Sequence, residues 1–93
     1  MTYKLLFHER ALKEWSGLQE SVRNQFKAKL KERLQHPHVP SARLTGMKNR
    51  YKIKLKRPPL RLVYEVQEDI LVVKVLVIGK RERSAAYKIA AKR

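Results

Sequence analysis

The sequence predicts an α+β fold in the order β-α-α-β-β-β-α, with a mainly antiparallel sheet, an N-terminal helical hairpin packed on it and a short C-terminal helix. Three observations carry this. Two apolar stripes of helical period follow one another between residues 9 and 34, three strand-like runs joined by short turns fill residues 51–78, and the last run is apolar almost throughout. At 93 residues the chain is expected to form one domain, 1–93, and 43% hydrophobic content supplies one modest core.

The opening "TYKLLFH" is short and apolar enough for a first strand. From Glu9 to Leu18, residues Ala11, Leu12, Trp15 and Leu18 form a helical stripe, and Gly17 weakens its last turn. Ser21 is placed to cap a second helix, whose stripe is Val22, Phe26, Leu30 and Leu34. The other side of that helix carries Lys27, Lys29, Lys31 and Arg33, and Pro37 ends it. The loop "HPHVPSARLTG" follows, and its His36 and His38 read as loop residues, since no carboxylate adjoins them to complete a metal site. Strands are expected over Tyr51–Leu55, Leu60–Val66 and Ile70–Ile78, with Arg57-Pro58-Pro59 and Gln67-Glu68-Asp69 as hairpin turns. "ILVVKVLVI" suits a central strand covered on both faces, with Lys74 snorkelling out of it. After Gly79, a loop and a short helix capped by Ser84 complete the chain.

Charge says most about partners. Lys plus Arg number 23 against 8 Asp plus Glu, a net +15, and a polyanion is the natural counterpart. No apolar run approaches the roughly 20 residues that span a bilayer, and "MTYKLLFHER" lacks signal-peptide architecture, so a membrane partner is not expected. The absence of cysteine rules out disulfides, thiolate metal sites and a cysteine nucleophile, and fits a cytoplasmic location. No cofactor is called for.

The basic residues are unevenly spread. Between Ser41 and Tyr64 lie eight (Arg43, Lys48, Arg50, Lys52, Lys54, Lys56, Arg57 and Arg61) with no acid among them. In a strand, Lys52, Lys54 and Lys56 share one face, while Tyr51, Ile53 and Leu55 share the other. If the apolar faces of this strand and the next meet the helices, Arg61 joins Lys52 and Lys54 on the open face. The loop after the central strand then brings Lys80, Arg81 and Arg83 to one rim of the sheet. Lysines on a sheet edge also guard against edge-to-edge association, and Lys56 fits that role well. The arginines and the lack of neutralising acid favour phosphate binding for the rest.

Binding and chemistry both remain open on the residues alone. RNA cleavage ordinarily uses histidine or glutamate as general base and acid, and neither lies in this cluster; Glu65 and Glu82 are nearest, and Glu82 more plausibly tempers Arg81 or Arg83. That favours a non-catalytic RNA- or ribosome-binding protein. A less common route uses a lysine crowded by cations. Two unit charges about 6 Å apart at an effective dielectric of 20 repel by roughly 3 kcal/mol, enough to bring a lysine toward the useful pKa range. Tyr87 could stack on an RNA base; taken alone it reads more readily as core, yet Ala86, Ile89 and Ala90 already form an inward stripe.

"HERALKEW" (8–15), "RLTGMKNRYKIKL" (43–55), "RLVYEV" (61–66) and "VIGKRERSAAY" (77–87) together resemble the RelE-type toxins, ribosome-dependent mRNA interferases of bacterial toxin–antitoxin pairs, over nearly the whole chain. The resemblance implies a microbial-ribonuclease-like fold and cleavage of mRNA in the ribosomal A site, with the 2′-hydroxyl as nucleophile and a cyclic phosphate as product. It implies catalytic roles for Lys52 (phosphate contact), Lys54 (general base), Arg61 (charge on the scissile phosphate), Arg81 (general acid) and Tyr87 (stacking on the base). Arg43, Lys48, Arg50, Lys56, Lys80 and Arg83 become the surrounding RNA contacts. It further implies a cognate antitoxin that occludes the last helix, operator DNA bound through the toxin–antitoxin complex, and ribosomal RNA and mRNA as partners. Thr45 stands where close relatives often carry a basic residue, and the chain's short C-terminus at Arg93 leads us to expect a loosely held last helix.

Overall fold

The computed structural model describes residues 2–80 and 85–93. Along the chain run β1 (Lys4–Phe7), α1 (Glu9–Ser16), α2 (Glu20–Gln35), β2 (Arg50–Lys54), β3 (Leu60–Gln67), β4 (Val72–Lys80) and α3 (Ala85–Lys92), with single 3-10 turns at Pro40–Ala42 and Glu68–Ile70. This is the expected order. The sheet is ordered β1-β4-β3-β2, with β1 parallel to β4 and the other two pairings antiparallel. The apolar run is thus central, and β2 lies at an edge.

Two separate apolar layers cover the sheet's two faces. On one, Ala11, Val22, Phe26 and Leu30 of the helical hairpin pack on Tyr51, Ile53, Leu62, Tyr64, Val66, Val73 and Val75. On the other, Ala86 and Ala90 of α3 pack on Val63, Leu76 and Val77, joined by Leu44 from the loop before β2. Adjacent Leu76 and Val77 reach the same layer because the β3–β4 register slips between Val63 and Tyr64, turning β4 within its length.

Several local expectations are corrected. Ser21 does not cap α2: the N-cap is Gln19, whose side chain makes no capping bond, and Ser21 lies inside the first turn. Arg23 instead bonds the Leu18 carbonyl and closes the turn between the two helices. His8 caps α1 by accepting from the Arg10 amide at 3.1 Å. Leu12 and Ile89, both placed on inward stripes, are 50% and 37% exposed; smaller alanines at the neighbouring positions let the helices approach the sheet. Strand β4 begins at Val72 rather than Ile70, since pairing of Gln67 with Val72 commits residues 68–71 to the turn, which closes with Leu71 in the left-handed region at φ 52°. Lys74 is partly exposed, as a snorkelling lysine should be.

The last helix is not loosely held. Arg93 bonds Glu14 of α1 at 2.9 and 3.2 Å and the Leu76 carbonyl at 2.8 Å, and Glu14 also accepts the Ile78 amide at 3.1 Å. One arginine therefore ties α3 to both the hairpin and the central strand.

Candidate active site

The β2–β3 hairpin sets three of the candidate residues in place. Its register puts Lys54 directly opposite Arg61 and Lys52 opposite Val63, on the face that α3 covers only in part. In an antiparallel pair such opposite residues hold their side chains about 5 Å apart, so both strands contribute cations to one patch. Alternation does the sorting: Tyr51, Ile53, Leu62 and Tyr64 go to the hairpin layer, and the polar partners are left facing the other way.

Tyr87 of α3 joins them. Its ring centre lies 4.7 Å from the Arg61 guanidinium carbon and 5.9 Å from Lys52 Nζ, within cation–π range of both. The ring is half-buried, packed against the α3 layer on one side while facing Arg61 and Lys52. Arg61 Nε and the Tyr87 hydroxyl are shielded from solvent without a hydrogen-bond partner among the described residues. An unpaired buried donor costs about 1–3 kcal/mol, and a bound oxygen would relieve it. A pocket of about 190 Å³ opens beside the pair, lined by Arg43, Leu44, Thr45 and Met47 together with Lys52 and Tyr87.

The remaining expected residues divide. Arg43 lies on the rim of this pocket. Lys48 is exposed further along the same loop, Lys56 in the β2–β3 turn, and Lys80 at the end of β4, where it pairs with Leu60 beside Arg61. Arg81 and Arg83 lie outside the described residues, as do Glu82 and the expected cap Ser84. Arg50 is turned away from solvent: Nε donates to Glu65 at 3.0 Å and a terminal nitrogen to the Ala90 carbonyl at 2.6 Å.

Arg33 is a second difference. The sequence puts it on the side of α2 away from the apolar stripe, yet it donates to the Lys52 carbonyl at 3.1 Å and to the Tyr64 hydroxyl at 3.0 Å, tying the helix to β2 at the lysine itself. His38, read as a loop residue, bonds the Tyr51 hydroxyl at 2.9 Å and also Glu68. Helical periodicity marks Arg33 as flanking the inward stripe at Leu30 and Leu34, but nothing in the sequence names a carbonyl as its partner. The register that sets Lys54 opposite Arg61 also sets Arg50 opposite Glu65, an ion pair that the expectation of an RNA contact at Arg50 misses.

Among known proteins, the family model for the ParE toxin of the type II toxin–antitoxin system parDE matches residues 5–85. The mRNA interferase toxin RelE of Escherichia coli strain K12 is 50% identical over 93 residues, covering 100% of this chain and 98% of that protein. A mutant of the E. coli toxin RelE in its free state superposes with a TM-score of 0.92 at 48% identity, over 100% of this chain and 98% of the other. The toxin of the intact E. coli RelBE toxin–antitoxin complex gives 0.83 at 49% identity, over 87% of this chain and 99% of that one. With such identity along its full length and a family model matched over most of it, the chain belongs to the RelE/ParE family of type II toxin–antitoxin system toxins.

Proposed function

We propose that the chain is the toxin of a type II toxin–antitoxin pair and a ribosome-dependent endoribonuclease, an mRNA interferase that cuts mRNA in the ribosomal A site and so stops translation. The observation that carries the chemistry is the Tyr87 ring, 4.7 Å from Arg61 and 5.9 Å from Lys52, beside the strand pair that sets Lys54 opposite Arg61. In this reading Lys54 takes the 2′-hydroxyl proton, the 2′-oxygen attacks the adjacent phosphorus, and the bond from phosphorus to the 5′-oxygen breaks. Arg81 gives a proton to that leaving oxygen, and the product ends in a cyclic phosphate. Lys52 holds a phosphate oxygen, Arg61 stabilises the charge gathering on the phosphoryl group, and Tyr87 stacks on the base beside it. Neither lysine nor arginine is a strong acid–base catalyst at neutral pH, so the ribosome's positioning of the mRNA supplies much of the acceleration.

Arg43, Lys48, Lys56, Lys80 and Arg83 contact the surrounding RNA backbone in this account. The whole of residues 1–93 acts as one toxin domain in the cytoplasm, held inactive by an antitoxin that pairs with its +15 charge, and the complex of the two binds its operator.

Purified protein added to a translation extract, with mRNA ends mapped by primer extension, tests the reading. Cleavage inside codons is expected, and it should vanish with Arg81→Ala or when ribosomes are omitted. Arg61→Ala should slow cleavage by roughly 10²–10³ while melting as a folded protein, because its charge serves the reaction rather than the core. Arrested translation over intact mRNA would instead identify a non-catalytic ribosome binder.

A further inference from the structure

Arg50 sits in the acid-free basic run, and on sequence it belongs with the RNA contacts. Its surroundings give it different work. The side chain is only 19% exposed and its Nε–Glu65 bond is made by residues directly opposite in the β2–β3 register. Glu65 is fixed in turn, because its other oxygen accepts from Gln67 at 3.1 Å. The free end of the guanidinium reaches over the sheet to the Ala90 carbonyl at 2.6 Å, with the Met47 sulfur at 4.0 Å alongside.

That carbonyl lies in the last turn of α3 and also accepts the Arg93 amide at 3.1 Å, so the guanidinium takes its second lone pair. A cation placed there adds a charge-assisted bond and complements the negative end of the helix. Ala90 is fully buried against the sheet, and Tyr87 stands one turn earlier on the same helix. Arg50 thus holds the end of α3 on the β2 side as Arg93 holds it to α1 and β4, and the Tyr87 ring over Lys52 and Arg61 is carried by the helix they anchor.

We propose that Arg50 is a positioning residue for the cleavage reaction: held by Glu65, it latches the C-terminal turn of α3 to β2 and thereby sets Tyr87 against the substrate base. It touches no RNA. The inference rests on the proposed role of Tyr87 in cleavage, and the experiment separates the two.

Arg50→Ala, Tyr87→Ala and the double variant are compared in single-turnover cleavage on programmed ribosomes, with ribosome affinity measured alongside and amide hydrogen exchange followed over residues 85–92 of the free proteins. Arg50→Ala should lower the saturated cleavage rate roughly tenfold to a hundredfold, the scale of a misplaced reacting group, with affinity unchanged. In the Tyr87→Ala background it should cost nothing further, and exchange in α3 should quicken whenever Arg50 is lost. Arg50→Lys retains the charge and stem but cannot bridge Glu65 and Ala90 at once; it should fold and recover only part of the rate, which keeps the test open if Arg50→Ala misfolds. A full rate in Arg50→Ala, a loss that multiplies with that of Tyr87→Ala, or weaker ribosome binding at an unchanged saturated rate overturns the latch. If Tyr87→Ala itself cleaves at full rate, the role of Tyr87 fails instead, and unaltered exchange in Arg50→Ala would then overturn the latch on its own.

Discussion

The Tyr64 hydroxyl donates to the Pro37 carbonyl at 2.6 Å and accepts from Arg33 at 3.0 Å, on a residue with no exposed surface. Its ring stacks on Tyr51 with centres 5.6 Å apart. Burial holds the phenol above its ordinary pKa against the opposing pull of Arg33, so the group stays neutral and can both give and take a hydrogen bond. Tyr64→Phe leaves the shape of the core intact but orphans the Pro37 carbonyl and removes one of two anchors for Arg33. The cost should be about 1–3 kcal/mol, because a buried acceptor left without its donor bears its full desolvation. Denaturant unfolding of the two proteins measures it; a difference near zero would mean water reaches the carbonyl and the hydroxyl is idle. Arg33 also holds the Lys52 carbonyl, so the substitution tests whether the packing beneath the candidate lysine is rigid.

Between elements, Glu68 is the tie to watch. It sits in the turn before β4, and it accepts from Tyr3 at 2.6 Å, just ahead of β1, while also bonding His38 in the loop after α2. The His38 bond first and the Tyr3 bond second hold its carboxyl below the usual range. A carboxylate whose pKa falls on folding adds stability above its unfolded value and loses it as pH drops through the lowered folded one. Wild type should therefore melt higher than Glu68→Gln near neutral pH, and the gap should close as acidification carries the pH down through the lowered folded value of the carboxyl. Identical melting across that range would show the tie contributes nothing, which is the default for exposed pairs. Such ties are also what the sequence hides. Period and turn chemistry exposed every helix and strand, because Val22, Phe26, Leu30 and Leu34 or Tyr51, Ile53 and Leu55 repeat at intervals only one backbone accepts. The cation face was legible for the same reason, since strand alternation forces Lys52 and Lys54 together and the hairpin register adds Arg61. The roles of Arg33, Arg93 and Glu14 were not legible, for each depends on a backbone carbonyl or amide brought near by packing, and those groups carry no residue identity.

At the scale of the whole molecule, +15 is confined to a body of 12.1 Å radius of gyration. Charges at that density repel, and folding brings them closer than the unfolded chain would. At about 0.15 M salt the screening length is about 8 Å, so charges across the molecule scarcely interact, whereas at about 0.01 M it is about 30 Å and all of them do. Adding salt should accordingly raise the melting temperature of the free protein. The same salt should weaken its hold on the ribosome, since each phosphate it neutralises releases counterions and gives the binding constant a slope of about −0.7 to −0.9 against log salt. The two responses have opposite signs, and the proposed function gives them one cause: cations that cost the free protein stability and face an RNA surface when bound. Melting curves and ribosome affinity measured over one salt series decide it. Stability that falls with added salt, or affinity that ignores it, would mean that local pairs such as Arg50–Glu65 and Arg93–Glu14 dominate the electrostatics and that the excess charge does not face the ribosome.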